Sequence, residues 1–189
     1  MPEKPEQQSD PLNRLVIDVK SLATTIEMFA QNPISEVPDE ERPKMFAAIK
    51  ITSTHGMLSL IREELVRLVQ ERIRSVADKD WSYLEEWDSS VPEETLAEEA
   101  FVARMQQGTR DLIAQIGILG EALPQHQQEY LLPAIDEIHT LLNTLRSTLF
   151  QFVITHARQN PEDQLLGYVK MNSTFATLLG APVEESPDV

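Results

Sequence analysis

The fold of this chain is decided by residues 131–152, LLPAIDEIHTLLNTLRSTLFQF. Apolar residues recur there at alternating spacings of four and three: Leu131, Ile135, Ile138, Leu142, Leu145, Leu149 and Phe152. This heptad pattern is typical of a long helix that packs one face against other helices. It predicts an all-α protein, with this helix over about residues 125–158.

Two helical segments precede it in the first half of the chain. Asp10-Pro11 is an N-cap and first-turn signal, and the stripe that follows stops before Asn32-Pro33. A second, longer helix is predicted to follow Pro43 and extend to about Ala77. Weak helix formers at 52–56 predict a kink or a break within it.

Two further helices are predicted from their boundaries. Ser90 and Glu93 have the spacing of a capping box, which places the start of a helix at Ser90 and its end before Pro124. A short final helix should follow Pro161 and stop at Gly180. We therefore predict five helices, three of them long, in an antiparallel four-helix-like bundle with a short extra helix. Residues 10–180 should form one domain between polar, flexible tails at 1–9 and 181–189.

Composition limits the partners. Sixteen Lys and Arg residues against 31 Asp and Glu residues give a net charge of −15, which would repel nucleic acid over most of the surface. No stretch approaches the roughly 18 apolar residues of a membrane span, and the first residues lack the apolar core of a signal peptide. We expect a cytoplasmic protein that binds neither nucleic acid nor membranes.

The apolar surface predicts self-association. The long helices carry more apolar rows than one bundle seam requires, and a homodimer through the heptad positions would cover the excess. Arg72 lies near the core line of the second long helix, where an unpaired guanidinium would be costly. It should pair with a carboxylate of another helix or another subunit, with a small-anion site as the alternative.

An aromatic connection is the leading candidate for a binding surface. Trp81, Tyr83, Leu84 and Trp87 lie between two long helices, and residues 78–99 around them contain nine acids against Lys79 alone. Large aromatic side chains in a connection either plug the end of a bundle or anchor a partner. The leading functional hypothesis is a non-enzymatic regulatory or adaptor protein that binds a protein partner through these residues or through its tails.

Asp111 and Gln115 suggest one alternative. They form an Asp-x-x-x-Gln pair on one helical face. In this respect the chain resembles the chemotaxis phosphatases, helical bundles that dephosphorylate response regulators. The resemblance implies that Asp111 engages a lysine of the receiver and that the Gln115 amide orients the attacking water.

Two pairs of possible metal ligands give a second alternative. His126 and Glu129, and Asp136 and His139, are each three residues apart, which places their donors on one helical face. Both pairs fall on or beside a single helix, whereas helical di-metal sites draw ligands from several. We therefore expect structural histidines and no cofactor, with a helical metal or small-ligand binder as the alternative.

Overall fold

The computed structural model describes residues 10–75 and 77–180, and in this part of the chain it contains six α-helices and no strand. They are α1 (Pro11–Gln31), α2 (Glu41–Leu68), α3 (Glu98–Ala122), α4 (Gln128–Gln159), α5 (Gln164–Val169) and α6 (Ser173–Leu178). The predicted all-α bundle is confirmed. It has four long helices rather than three, and the predicted final helix is two short ones because Asn172 caps a separate α6. The predicted tails lie outside the described residues.

The heptad stripe of α4 forms the centre of the core. All seven of its apolar residues are buried within a single chain, together with the apolar stripes of α1, α2 and α3. The seam therefore has its partners inside the monomer, and it leaves no free heptad surface for a second copy. The homodimer stays a prediction, without the interface that we expected for it. None of the described helices is both long and apolar enough to cross a membrane.

Side-chain contacts establish the helix directions. Arg14 near the start of α1 pairs with Glu64 near the end of α2, so these two helices are antiparallel. Phe101 at the start of α3 stacks on Phe152 near the end of α4, so these are antiparallel too.

The other two neighbouring pairs follow the same rule. Gln106 near the start of α3 bonds to Glu27 near the end of α1. Lys44 near the start of α2 and His156 near the end of α4 both pair with Asp163. Both α2 and α3 therefore run opposite to α1 and α4. Because α2 and α3 point the same way, the connection between them must return along the length of the bundle. This crossover occupies residues 74–97.

The α2 helix has no break at 52–56, since it is one α-helix from Glu41 to Leu68. Thr54 is fully buried, and its hydroxyl donates to the Lys50 carbonyl at 2.7 Å, so the side chain is satisfied within the helix. Beyond Leu68 the chain continues as a π-helical turn, Val69–Ile73, which buries both of its end residues. Packing of this face outweighs the weak local propensity.

The start of α3 also differs from the prediction. The capping box at Ser90 and Glu93 does not begin a helix, and α3 starts eight residues later, at Glu98. Side chains of α4 instead donate hydrogen bonds to the Ser90 and Glu94 carbonyls. Leu96 is buried beside α4 as well. Tertiary contacts thus hold residues 88–96 in an extended path that competes with the local helix signal.

Two ion-pair sites tie the ends of the chain to the bundle. Arg72 pairs with Asp10 at 3.1 Å, which confirms the predicted partner on another element, but its side chain is 43% exposed rather than buried. Asp163 accepts from Lys44 Nζ at 3.1 Å, lies 3.0 Å from His156 Nε2, and caps α5 through the Leu165 amide. This second cluster joins α2, α4 and α5, which gives His156 a structural role.

Candidate functional site

The candidate site is built around a segment without helix or strand that is bound along a helix. Residues 87–96 of the crossover, called the strap below, run parallel to α4. Four polar residues at every fourth position of α4 face it, and we call them the α4 ladder: Asn143, Ser147, Gln151 and Thr155. Spacing of four residues places these side chains in a row along one face of the helix.

Each residue of the ladder bonds to the main chain of the strap. The Asp88 amide donates to Asn143 Oδ1 at 2.8 Å, and the Leu96 amide donates to Thr155 Oγ1 at 3.1 Å. The other two bonds run the opposite way: Ser147 donates to the Ser90 carbonyl at 3.3 Å and Gln151 to the Glu94 carbonyl at 2.8 Å. The twelve residues of helix from Asn143 to Thr155 rise about 18 Å. The ladder therefore follows the strap over most of its length.

Two side chains of the α4 ladder are buried and need hydrogen-bond partners. Gln151 is only 3% exposed and Thr155 only 6%. A buried amide or hydroxyl without a partner costs about 1–3 kcal/mol. The strap main chain supplies those partners, so α4 depends on an extended peptide at this face.

Aromatic and aliphatic side chains anchor the two ends of the strap. At one end the Trp87 ring lies under two guanidinium groups, with Arg62 Cζ 4.3 Å and Arg146 Cζ 4.9 Å from the ring centroid. At the other end Leu96 is buried in the core, and Val91 between them is half-buried. The remaining side chains of the strap are exposed.

The Trp87 anchor lies in a cluster of basic groups. Burial lowers the pKa of Arg146, and the nearby charge of Arg62 lowers it further. The pKa of His55, stacked on Phe150, is lowered by burial and then by these two arginines, which favours the neutral imidazole. Arg146 Nε is buried and has no hydrogen-bond partner among the described residues. The two arginines lie close together at this site, and the carboxylates of Glu63 and Glu85 also act on Arg62.

A groove of about 870 Å³ lies between the strap, α3 and α4. Arg104, Gln107 and Asp111 of α3 line one wall, and Thr144 of α4 and residues of the strap line the other. Asp111 Oδ1 accepts from Gln107 Nε2 at 2.8 Å. The groove combines polar donors and acceptors of both charges, which suits an elongated polar ligand.

The four predicted partner-binding residues lie at and before the strap. Trp81 is 8% exposed and Leu84 1%, so neither offers a surface to a partner. Tyr83 stacks on Trp81, and its hydroxyl bonds to Asp136; burial and then this bond raise the pKa of Tyr83. These three side chains form the bundle plug that we considered beside the partner anchor. Only Trp87 belongs to the strap.

The predicted alternative sites are not assembled. Asp136 bonds to Lys79 and Tyr83, His139 packs edge-on against Tyr83, and His126 lies in a left-handed turn after α3 with a φ of 51°. The described residues contain no group of three or more His, Cys, Asp or Glu side chains that could hold a metal ion, so His126, Glu129, Asp136 and His139 do not form one.

Asp111 and Gln115 lie in different surroundings on α3. Asp111 is exposed and lines the groove, whereas Gln115, one turn further along α3, is half-buried and lies outside the lining. The structure therefore places one member of the pair in the candidate site and not the other.

Sequence reasoning missed the α4 ladder, although its spacing is visible in the sequence. Polar residues at 143, 147, 151 and 155 repeat every four positions beside the apolar seam.

Comparison with family models, with curated proteins and with solved structures gives no match for this chain.

Proposed function

We propose that this protein is a non-enzymatic adaptor that binds an extended segment of a protein partner along the α4 ladder and the adjoining groove between the strap, α3 and α4. The supporting observation is the α4 ladder, whose four side chains bond to the main chain of a non-helical segment of the same chain. Main-chain amides and carbonyls are common to all extended peptides. A helix face that satisfies them for one segment has the chemistry to do so for another.

The groove has the length that such a ligand needs. Its walls follow α4 from Thr140 to Gln151, a rise of about 16 Å. Five residues of fully extended chain span about that distance. Arg104 and Asp111, exposed on the α3 wall, can pair with charged side chains of the bound segment.

A matched pair of threonine variants tests this proposal. Thr144 lines the groove, is exposed, and bonds only to the Thr140 carbonyl one turn before it, so Thr144→Arg fills the groove without breaking a contact to the strap. Thr24 on α1 is exposed and makes the same bond one turn back, to Lys20, which makes Thr24→Arg the control.

The measurement is selection of segments from a displayed library of random 12-residue peptides on the full-length protein. Segments should be retained by the wild type and by Thr24→Arg, and retention should fall about tenfold or more on Thr144→Arg at an unchanged melting temperature. The proposal is wrong if no segment is enriched, or if the enriched segments bind Thr144→Arg as well as the wild type.

A further inference from the structure

The strap is bound to the bundle in a way that permits it to leave. Between residues 87 and 96 the structure contains no bond from main chain to main chain. The Asp88 side chain accepts from the Ser90 amide at 2.9 Å, and the other bonds to the strap backbone come from side chains of α4. Several of these bonds are long: Arg146 to the Asp88 carbonyl and Arg158 to the Glu93 carbonyl measure 3.4 Å, and Ser147 to Ser90 measures 3.3 Å. Seven of the ten side chains of the strap are exposed, and a segment with few buried side chains opens locally at lower cost than the whole fold.

The length of the crossover supports a role beyond connection. It is more than 20 residues long, and its described residues, 74–75 and 77–97, contain one short 3₁₀ turn, Ser82–Glu85. Connections of this length within a compact domain are uncommon and are usually functional. Helix geometry requires the crossover to return along the bundle, but it does not require the crossover to satisfy buried side chains of α4.

Removal of the strap would expose a defined binding face. Gln151 and Thr155 would lose their partners, and Arg62 and Arg146 would lose the Trp87 ring. Four acidic side chains would leave with the strap or its neighbour Glu86: Glu86, Asp88, Glu93 and Glu94. The exposed face would carry the α4 ladder, whose side chains bond to main-chain groups. Arg62 and Arg146, which hold the Trp87 ring, lie at one end of it, and the apolar pocket that Leu96 fills lies at the other.

We propose that the strap is an internal competitor for the partner's binding site, and that the partner segment has the strap's own pattern. That pattern is an extended acidic peptide in which an aromatic residue precedes an aliphatic residue by nine positions, as Trp87 precedes Leu96. This inference rests on the proposed function. The aromatic residue enters the slot between Arg62 and Arg146, the aliphatic residue fills the Leu96 pocket, and the α4 ladder bonds to the main chain between them.

The chain supplies its own probe. A labelled synthetic peptide with the sequence of residues 85–97, EEWDSSVPEETLA, is titrated into full-length protein and followed by fluorescence anisotropy. In the wild type the tethered strap competes with the peptide. The apparent Kd is therefore the intrinsic Kd divided by the fraction of molecules whose site is open. Trp87→Ala removes the strap's anchor, so this variant should bind the peptide about tenfold or more tightly than the wild type.

Three controls make the result specific. Tyr130→Ala removes an exposed aromatic side chain of α4 outside the groove and should bind the peptide as the wild type does. A peptide with Ala in place of Trp and a peptide of scrambled order should bind Trp87→Ala at least about tenfold more weakly. Asp88→Pro is a second way to loosen the strap, because it removes the amide that donates to Asn143.

The outcomes separate this inference from the proposed function. Tighter binding to either folded strap variant, with selectivity for the tryptophan peptide, supports the inference. If library segments bind in the groove but neither variant changes their affinity or that of the strap peptide, the strap is only a connection and the proposed function remains. If neither the library segments nor the strap peptide binds any variant, both proposals are wrong.

Discussion

At the scale of single residues, Asp163 is the most constrained carboxylate in the described part of the chain. Burial would raise its pKa, but the Leu165 amide, Lys44 and His156 outweigh burial and hold the pKa below its ordinary value. The ionised carboxylate is therefore favoured in the folded state. Its side chain is 11% exposed, so solvent screens these bonds little.

This pKa shift predicts a pH-dependent contribution to stability. Asp163→Asn keeps a capping side chain but loses the charge, and we expect it to cost about 1–3 kcal/mol near pH 7. Because the folded pKa is lowered, the contribution is present above the unfolded pKa of about 3.9 and is lost as pH falls through the folded value. Urea unfolding from pH 7 to pH 2.5 should show the free energies of unfolding of the wild type and of Asp163→Asn converging at the acid end.

The exposed Glu137→Gln variant is the control for Asp163→Asn and should follow the wild type within about 0.5 kcal/mol. A difference between the wild type and Asp163→Asn that stayed constant down to the lowest pH would show that the charge of Asp163 is not the source of the stability.

Gln115 provides a second test at this scale. It is half-buried on α3, outside the groove, so Gln115→Ala should leave the free energy of unfolding and peptide binding unchanged within about 0.5 kcal/mol. Asp111→Ala, which removes a charged side chain from the groove, should alter peptide affinity. If Gln115→Ala instead abolished turnover of a phosphorylated receiver without loss of stability, the phosphatase resemblance would become the better account.

At the scale of elements, the packing of α3 on α4 depends on one glycine. A Cβ at Gly108 would lie 2.6 Å from Leu145 Cδ2 and 3.2 Å from its Cγ, and Leu145 is buried in the seam. A Cβ at Gly117, on the same helix, would meet nothing within 4 Å. The two glycines thus share a helix but not a packing role.

Alanine substitutions should therefore change stability in opposite directions. Gly108→Ala should destabilise by about 1–3 kcal/mol through overpacking, while Gly117→Ala should stabilise by about 0.5–1 kcal/mol through helix propensity. Thermal or urea unfolding measures both. Equal effects of the two variants would mean that α3 and α4 do not approach as closely at Gly108 as described.

Elements also show what a sequence can and cannot predict. The heptad seam of α4 predicted its helix correctly because the burial of an amphipathic stripe is a local, periodic signal. The capping box at Ser90 and Glu93 failed because α4, more than 50 residues away in sequence, binds that main chain. Main-chain recognition leaves no residue-type pattern in the strap, so only the spacing of Asn143, Ser147, Gln151 and Thr155 could have indicated it.

At the scale of the whole molecule, topology creates the candidate site. Because α2 and α3 run in the same direction, their connection has to travel along the bundle, and it does so over a polar row of α4. The fold class was predictable from periodicity. The direction of each helix was not, since it depends on long-range pairs such as Arg14 with Glu64 and Phe101 with Phe152.

Hydrogen exchange at the Asp88 and Leu96 amides shows whether a partner segment replaces the strap on α4. Both amides donate to the α4 ladder, so in the free protein they should exchange more slowly than an unstructured chain but faster than the core of α4. A saturating tryptophan peptide, unlabelled, should accelerate exchange at both amides and leave the α1 and α2 cores unchanged. Bound peptide with unchanged or slower exchange at Asp88 and Leu96 would contradict the account.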